Sequence, residues 1–195
     1  MAEPIRAFLD AALRWAPLDA NRQLELANRF EMRRVEAGEA LALPGDDRHD
    51  ILFVAEGLLR FYYPGSDGRE TNKAFVVEGE FAGAVASAQL GVPLLYGIEA
   101  LEATTVLASS YRAFSELMDA DPAFERLGRK LAETILARKE RKARDLMLKS
   151  ASERYADLLE TRPDLVQRVP LYHLASYLGM TDVHLSRVRR ELATI

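Results

Sequence analysis

Residues 169–192, VPLYHLASYLGMTDVHLSRVRREL, carry the spacing that decides the fold of the C-terminal part of the chain. Pro170 suits the start of a helix, and apolar residues then recur at helical spacing as far as Leu178. Gly179 can take the left-handed conformation that ends a helix, and Thr181 is a favourable N-cap for the next one. The stretch predicts two short helices joined by a tight turn, the second running from residue 182 to about residue 192.

The second predicted helix has an apolar stripe, formed by Leu185, Val188 and Leu192, and an opposite face that is polar and cationic. Together with the small Ala175 before the turn, this spacing lets two helices cross as in a DNA-binding helix-turn-helix. An ordinary helical hairpin of an all-α domain is the alternative, because it shares each single feature. The residues predicted to contact DNA are Thr181, Asp182, Val183, His184, Ser186, Arg187 and Arg190.

Composition narrows the choice of function. None of the 195 residues is cysteine, which excludes disulfides and thiolate chemistry and indicates a cytoplasmic protein. The net charge of −4 is uneven, since residues 1–125 hold 11 Lys/Arg and 21 Asp/Glu while residues 126–195 hold 15 and 9. The basic C-terminal part is therefore the part suited to phosphate contacts. No stretch is apolar enough to span a membrane, and residues 1–19 predict an amphipathic helix packed on its own domain.

Residues 32–110 differ from the helical stretches in their pattern, because short apolar runs are separated by glycine and proline. Strands are predicted at residues 51–54, 58–63, 73–77 and 100–109, and residues 64–68 form the clearest hairpin turn. This pattern is typical of an antiparallel β-sandwich or barrel.

A long helix is predicted from residue 121 to residue 148. Phe124, Leu127, Leu131 and Ile135 recur at steps of three or four, as in the seam of paired helices, although the same stripe could pack on its own domain. The predicted organisation is a β-domain over residues 1–120, a dimerisation helix over 121–148 and a helix-turn-helix domain over 149–195.

The first half resembles the β-roll of cyclic nucleotide-binding domains, and residues 152–181, SERYADLLETRPDLVQRVPLYHLASYLGMT, resemble the DNA-binding half of Crp/Fnr-type bacterial transcription regulators. The resemblance implies an α+β fold with an N-terminal antiparallel β-roll, a long connecting helix and a C-terminal helix-turn-helix. It also implies a homodimer that binds double-stranded DNA, with RNA polymerase as a further partner. The residues that carry the β-roll resemblance are Gly38-Glu39, Pro44-Gly45, residues 51–54, Gly57 and Arg60.

The resemblance fails where that family holds a cyclic nucleotide. Ala84 stands where a ribose-binding glutamate would follow a Phe-x-Gly segment, and residues 92–97, VPLLYG, stand where the phosphate-binding arginine would lie. Burying a phosphate against an apolar lining is costly, so we expect no binding of cyclic AMP and assign no cofactor. The residues of a candidate effector pocket are Phe81, Gly83, Ala84, Leu94, Leu95 and Tyr96.

The helix-turn-helix also departs from its relatives, which commonly have a glutamate where this chain has Val183. Arg187 matches the family's Ser-Arg position and is our first choice for a guanine contact, while Val183 could contact a thymine methyl group.

No catalytic motif is present, so an enzyme is not expected. His49 is interpreted as a loop histidine, the alternative being a ligand of a cupin-like metal site. The alternative function is a β-roll ligand-sensing or protein-interaction module that has lost DNA binding.

Overall fold

The N-terminal two thirds of the chain form a β-roll flanked by helices, and the remainder is helical. A computed structural model describes residues 2–192. The strands are β1 (Glu31–Val35), β2 (Ala40–Ala42), β3 (Asp50–Glu56), β4 (Leu58–Pro64), β5 (Glu70–Val77), β6 (Phe81–Gly83), β7 (Gly97–Ala100) and β8 (Thr104–Ser110). The helices are α1 (Glu3–Leu13), α2 (Ala20–Asn28), α3 (Val85–Leu90), α4 (Tyr111–Ala120), α5 (Pro122–Leu148), α6 (Ala151–Thr161), α7 (Pro163–Arg168), α8 (Leu171–Tyr177) and α9 (Asp182–Leu192). The predicted α+β fold class is confirmed.

The strands of residues 2–192 form two four-stranded antiparallel sheets, in the orders β1-β8-β3-β6 and β2-β7-β4-β5. Each sheet packs against apolar clusters on both of its faces, although the edge strands β1 and β2 are partly exposed. In β3, Leu52 and Val54 face the interior between the sheets, whereas Ile51 and Phe53 face the N-terminal helices. Alternate side chains of one strand thus reach two different cores, which explains why residues 51–54 are continuously apolar.

The predicted strand 100–109 is wrong as a single element. The structure divides it into β7 and β8, with a bend at residues 101–103. The physical reason is that β7 pairs with β4 in one sheet while β8 pairs with β3 in the other, so the chain must change sheets between them.

The first apolar core lies between α1, α2, α4, α5 and the sheet β1-β8-β3-β6. Phe8 packs against Phe30, Phe53 and Phe81, with ring centroids 4.6, 5.5 and 5.8 Å away. Trp15 covers this group from outside, its ring 4.9 Å from that of Phe81.

The N-terminal half of α5 also belongs to this core. Phe124, Leu127 and Leu131 are buried within the single chain, and Ile135 packs partly buried beside them. Side chains already buried in this way are not available to a second helix, so the predicted dimer seam needs correction at these positions. The stripe packs on its own domain, as its alternative interpretation predicted.

The C-terminal helices pack on the outer face of the sheet β2-β7-β4-β5. Leu58 of β4 and Phe75 of β5 are buried in one cluster with Leu165, Leu174 and other apolar residues of α6 to α9. A polar contact reinforces this packing: the backbone N–H of Asn72 in β5 donates to Ser176 Oγ of α8 at 2.9 Å. Helix α8 is therefore docked on β5.

Candidate functional site

The turn between α8 and α9 has the local structure that the sequence predicts. Gly179 has φ of 68°, and the Met180 N–H donates to the Ala175 carbonyl at 3.0 Å, which closes the end of α8. Thr181 Oγ1 accepts the His184 N–H at 3.2 Å, so the N-cap of α9 is confirmed. The Arg154 side chain of α6 donates to the Leu178 carbonyl at 2.8 Å and so links the turn to α6.

α9 presents its polar face to solvent. Leu185 and Val188 are buried against the other C-terminal helices, which fixes the rotation of α9 about its axis. The seven residues that the sequence assigned to DNA contact are the N-cap Thr181 and six residues of α9 that lie outside its buried stripe. Six are exposed and Ser186 is half-buried; the exposed ones are Thr181, Asp182, Val183, His184, Arg187 and Arg190.

Ser152 and Glu191 border the same surface and were missed by sequence reasoning. They line a shallow depression with Thr181, Val183 and Arg187. Ser152 lies in the first turn of α6, whose N-terminus is closed by a reciprocal capping box between Ser150 and Glu153. The sequence signal was the Ser-x-x-Glu pattern of that box, which predicts where α6 begins but not which neighbour it faces.

The candidate effector pocket is only partly assembled. Ala84, Leu94 and Tyr96 are buried in the interior between the two sheets, whereas Phe81 points into the N-terminal core and Leu95 is 64% exposed. The Tyr96 hydroxyl reaches the Gly83 carbonyl at 3.5 Å, and burial raises the pKa of Tyr96 to about 12. Tyr96 and Leu94 are thus part of the packed interior of the roll.

An ion-pair network lies on the face of β4 that points away from the interior between the two sheets. Arg60 is 4% exposed and donates to Glu99 at 2.9 and 3.1 Å and to Glu70 at 2.6 Å. The two carboxylates raise the pKa of Arg60 against the effect of burial, which acts in the opposite direction. Burial and the positive charge of Arg60 lower the pKa of the nearby His173 to about 4.

His49 lies in the β2–β3 loop, as predicted, and its Nε2 is 2.9 Å from the Val92 carbonyl. No group of three His, Cys, Asp or Glu side chains in residues 2–192 is arranged to hold a metal ion. No helix in the same residues is both long enough and apolar enough to cross a membrane.

Residues 32–121 match the family described as the cyclic nucleotide-binding domain. Over these residues the chain is similar to cyclic nucleotide-binding domains. No curated protein matches the sequence.

Solved structures extend the likeness beyond residues 32–121, to between 85% and 94% of the chain. FixK2 from Bradyrhizobium japonicum is 23% identical over 85% of this chain and 85% of its own, with a TM-score of 0.75. The c-di-GMP responsive global regulator CLP of Xanthomonas campestris is 21% identical over 90% of this chain and 92% of its own, with a TM-score of 0.67. The catabolite activator protein of Thermus thermophilus is 21% identical over 94% of this chain and 87% of its own, with a TM-score of 0.56. The cyclic nucleotide-binding domain and the C-terminal helices therefore share the fold of Crp/Fnr-type regulators, as the resemblance implied.

Beyond the cyclic nucleotide-binding domain, α5 carries a second apolar stripe that the sequence analysis did not separate from the first. Ala132, Leu136, Ala143 and Met147 are exposed, and they recur at steps of four, seven and four residues. Leu136 is 58% and Met147 81% exposed. This spacing places all four on one side of the helix, as in the seam of a coiled coil.

Proposed function

We propose that the protein is a dimeric, sequence-specific DNA-binding transcription regulator. The observation that carries the proposal is the exposed polar face of α9, held by a closed turn at Gly179 and an N-cap at Thr181. A helix presented in this way fits the major groove, where its N-terminal residues reach base edges. The basic charge of residues 126–195 supplies the attraction to phosphate.

Arg187 is the proposed base-reading residue. It lies exposed near the middle of the outward face of α9, and a guanidinium can bond both acceptors of a guanine edge. Thr181, Ser186 and Arg190 are proposed to contact phosphates, and Ser152 joins them because it borders the same depression.

The test of base reading is selection of DNA from a random pool by purified protein, followed by binding measurements on the enriched site. Arg187→Ala should weaken specific binding by about 1–3 kcal/mol and relax the preference at one base pair of each half-site. Arg189→Ala is the matched control, because it removes the same charge from the same helix. It should weaken binding to all sequences without changing the preferred site. Unchanged site preference in Arg187→Ala would refute the assignment.

Salt dependence separates this function from the alternative, a module that no longer binds DNA. The binding constant of a DNA reader should fall linearly with salt concentration on a double-logarithmic plot. Failure to enrich any site, together with no salt-dependent binding, would favour the module.

The proposed dimer uses the exposed stripe of α5 in place of the buried one. Leu136 lies near the centre of that stripe, so a charge there should keep two copies apart. Leu136→Glu is expected to sediment as a monomer where the wild type sediments as a dimer. Leu24→Glu is the control, since Leu24 is a 63% exposed leucine on α2 and does not belong to the exposed stripe of α5. A dimeric Leu136→Glu protein would contradict the proposed seam.

The proposal includes no response to cyclic AMP. Ala84 offers no carboxylate to a ribose, and Leu94 and Tyr96 are buried in the interior of the roll. Calorimetric titration should detect no binding of cyclic AMP at micromolar concentrations, and such binding would contradict this part of the proposal.

A further inference from the structure

Three lysines converge where β5 meets α5: Lys73 on the strand, and Lys139 and Lys142 on the helix. The Lys142 ammonium donates to the carbonyls of Asn72 and Lys73 at 2.9 and 2.8 Å, which ties α5 to the open edge of β5. It also lies 4.0 Å from the centre of the Tyr177 ring of α8. Lys139 and Lys142 are the charged groups that shift the pKa of Lys73, and both lower it, so the cations of this group repel one another.

A β-bulge brings Lys73 into the group. Asn72 pairs with Tyr62 and Ala74 pairs with Phe61, so Lys73 is the extra residue of β5. Bulges change the direction of a side chain and are common next to functional sites. Here Asn72 points outward to α8, while the Lys73 ammonium lies 3.4 Å from the centre of the Tyr96 ring and 5.6 Å from that of Tyr63.

The arrangement is electrostatically unfavourable as it stands. Burial lowers the pKa of Lys73 to about 8, and the charges of Lys139 and Lys142 act in the same direction. Burial also lowers the pKa of Lys142 to about 8. The faces of Tyr63 and Tyr96 attract a cation, but they neutralise no charge. A bound anion would raise the pKa of each lysine again, because it would favour the charged form.

We propose that Lys73 and Lys139 bind the phosphate group of a small molecule, with Lys142 adding its charge from behind. Phosphate fits better than a single carboxylate because a dianion balances more than one of the converging cations, and lysine binds phosphate as a point charge. Tyr63, which is 41% exposed, and the exposed Lys139 are the members of this group that solvent reaches. The lysines belong to β5 and α5, and not to residues 81–97, where the family resemblance would place a cyclic phosphate.

The site goes beyond the proposed DNA binding and is independent of it. Its position nevertheless has a mechanical consequence, because Asn72 adjoins Lys73 and bonds His173 and Ser176 of α8. A bound phosphate that shifted Lys73 would also shift the neighbouring Asn72, which is hydrogen-bonded to the first helix of the proposed helix-turn-helix.

The experiment uses inorganic phosphate as the probe and the full chain without DNA, at constant ionic strength maintained with chloride. Calorimetry should show saturable binding with a dissociation constant of about 1–10 mM, and Lys73→Met should weaken it at least about tenfold. Lys130→Met is the matched control on α5, because the Lys130 ammonium is 2.8 Å from the Glu133 carboxylate and does not belong to the cluster. This variant should bind phosphate like the wild type. Lys139→Met, which removes an exposed side chain, provides the same test if Lys73→Met does not fold.

A second readout is pH. Phosphate binding should weaken as the pH rises through 8 and Lys73 loses its proton, and this weakening should be smaller in Lys73→Met, where Lys142 alone of the two buried lysines still titrates in that range. Absence of saturable binding, or equal affinity in the wild type and both cluster variants, would overturn the site. Either result would leave the DNA selection experiment unaffected, so the two proposals fail separately.

Discussion

Protonation of His173 should destabilise the folded protein. His173 is 6% exposed, and its Nδ1 lies 3.1 Å from the side-chain nitrogen Nδ2 of Asn72. This NH2 group can only donate, and it also donates to the His173 carbonyl at 3.2 Å. Nδ1 is therefore an acceptor and carries no proton in the folded state. Burial, reinforced by Arg60, lowers the pKa of His173 from 6.5 to about 4.

The sign and size of the effect follow from linkage. Above pH 6.5 the imidazole is neutral in both states and the shift has no effect on the free energy of unfolding. As the pH falls below 6.5, the unfolded state binds a proton that the folded state rejects, so stability is lost until the folded pKa is reached. With pKa values of 6.5 and about 4, lowering the pH from 7.5 to 5.5 should cost about 1 kcal/mol.

The assay is urea unfolding of the wild type and of His173→Gln at pH 7.5 and at pH 5.5. His49 and His184 are present in both proteins, and both pH values lie above the range in which most carboxylates titrate. The wild type should lose about 1 kcal/mol more than the variant over this interval. Equal losses in the two proteins would refute the reasoning, because they would show that His173 is either accessible to protons or unimportant to the docking of α8.

Two further substitutions test the turns on which the fold depends. Gly57→Ala should lower the free energy of unfolding by about 2–3 kcal/mol in a chemical denaturation experiment, because φ is 93° and an added Cβ would lie 2.4–2.7 Å from Thr104 and the Ala103 carbonyl. A loss below about 0.5 kcal/mol would show that the strand connection can relax. Thr181→Ala should cost about 1 kcal/mol through loss of the α9 N-cap, whereas Thr181→Ser should retain most of it; equal stability of the two variants would argue against the cap.

Local signals were predictable from the sequence, and contacts between distant segments were not. The turn at Gly179 and the cap at Thr181 depend on residues within one turn of helix, so their pattern was sufficient. The bounds of α9 are likewise those predicted, residues 182–192. By contrast, β2 and β6 have three residues each, too few for a periodicity to be recognised.

Helix α5 shows most clearly that a sequence pattern does not identify contacts between distant segments. Its bounds were predicted closely, and Asp121 caps it by accepting the Ala123 N–H at 2.8 Å. Periodicity identifies an apolar stripe but not the surface that covers it, so the stripe from Phe124 to Ile135 was assigned to a partner helix although it is buried in its own chain. Likewise, no local pattern predicts that Lys73 is an extra residue in its strand, because a bulge is defined only by the partner strand.

The docking of the C-terminal helices on β5 has a consequence for synthesis of the chain. Residues 1–148 leave the ribosome before the helices that cover Leu58 and Phe75, so the nascent roll exposes an apolar strip beside an unpaired strand edge. Such an edge can pair with another chain. The Lys142 ammonium, which emerges with α5 and occupies two of the free carbonyls of β5, protects that edge before α8 arrives. A fragment ending at residue 148 would retain this protection and still expose the apolar strip, so its solubility should fall below that of the full chain.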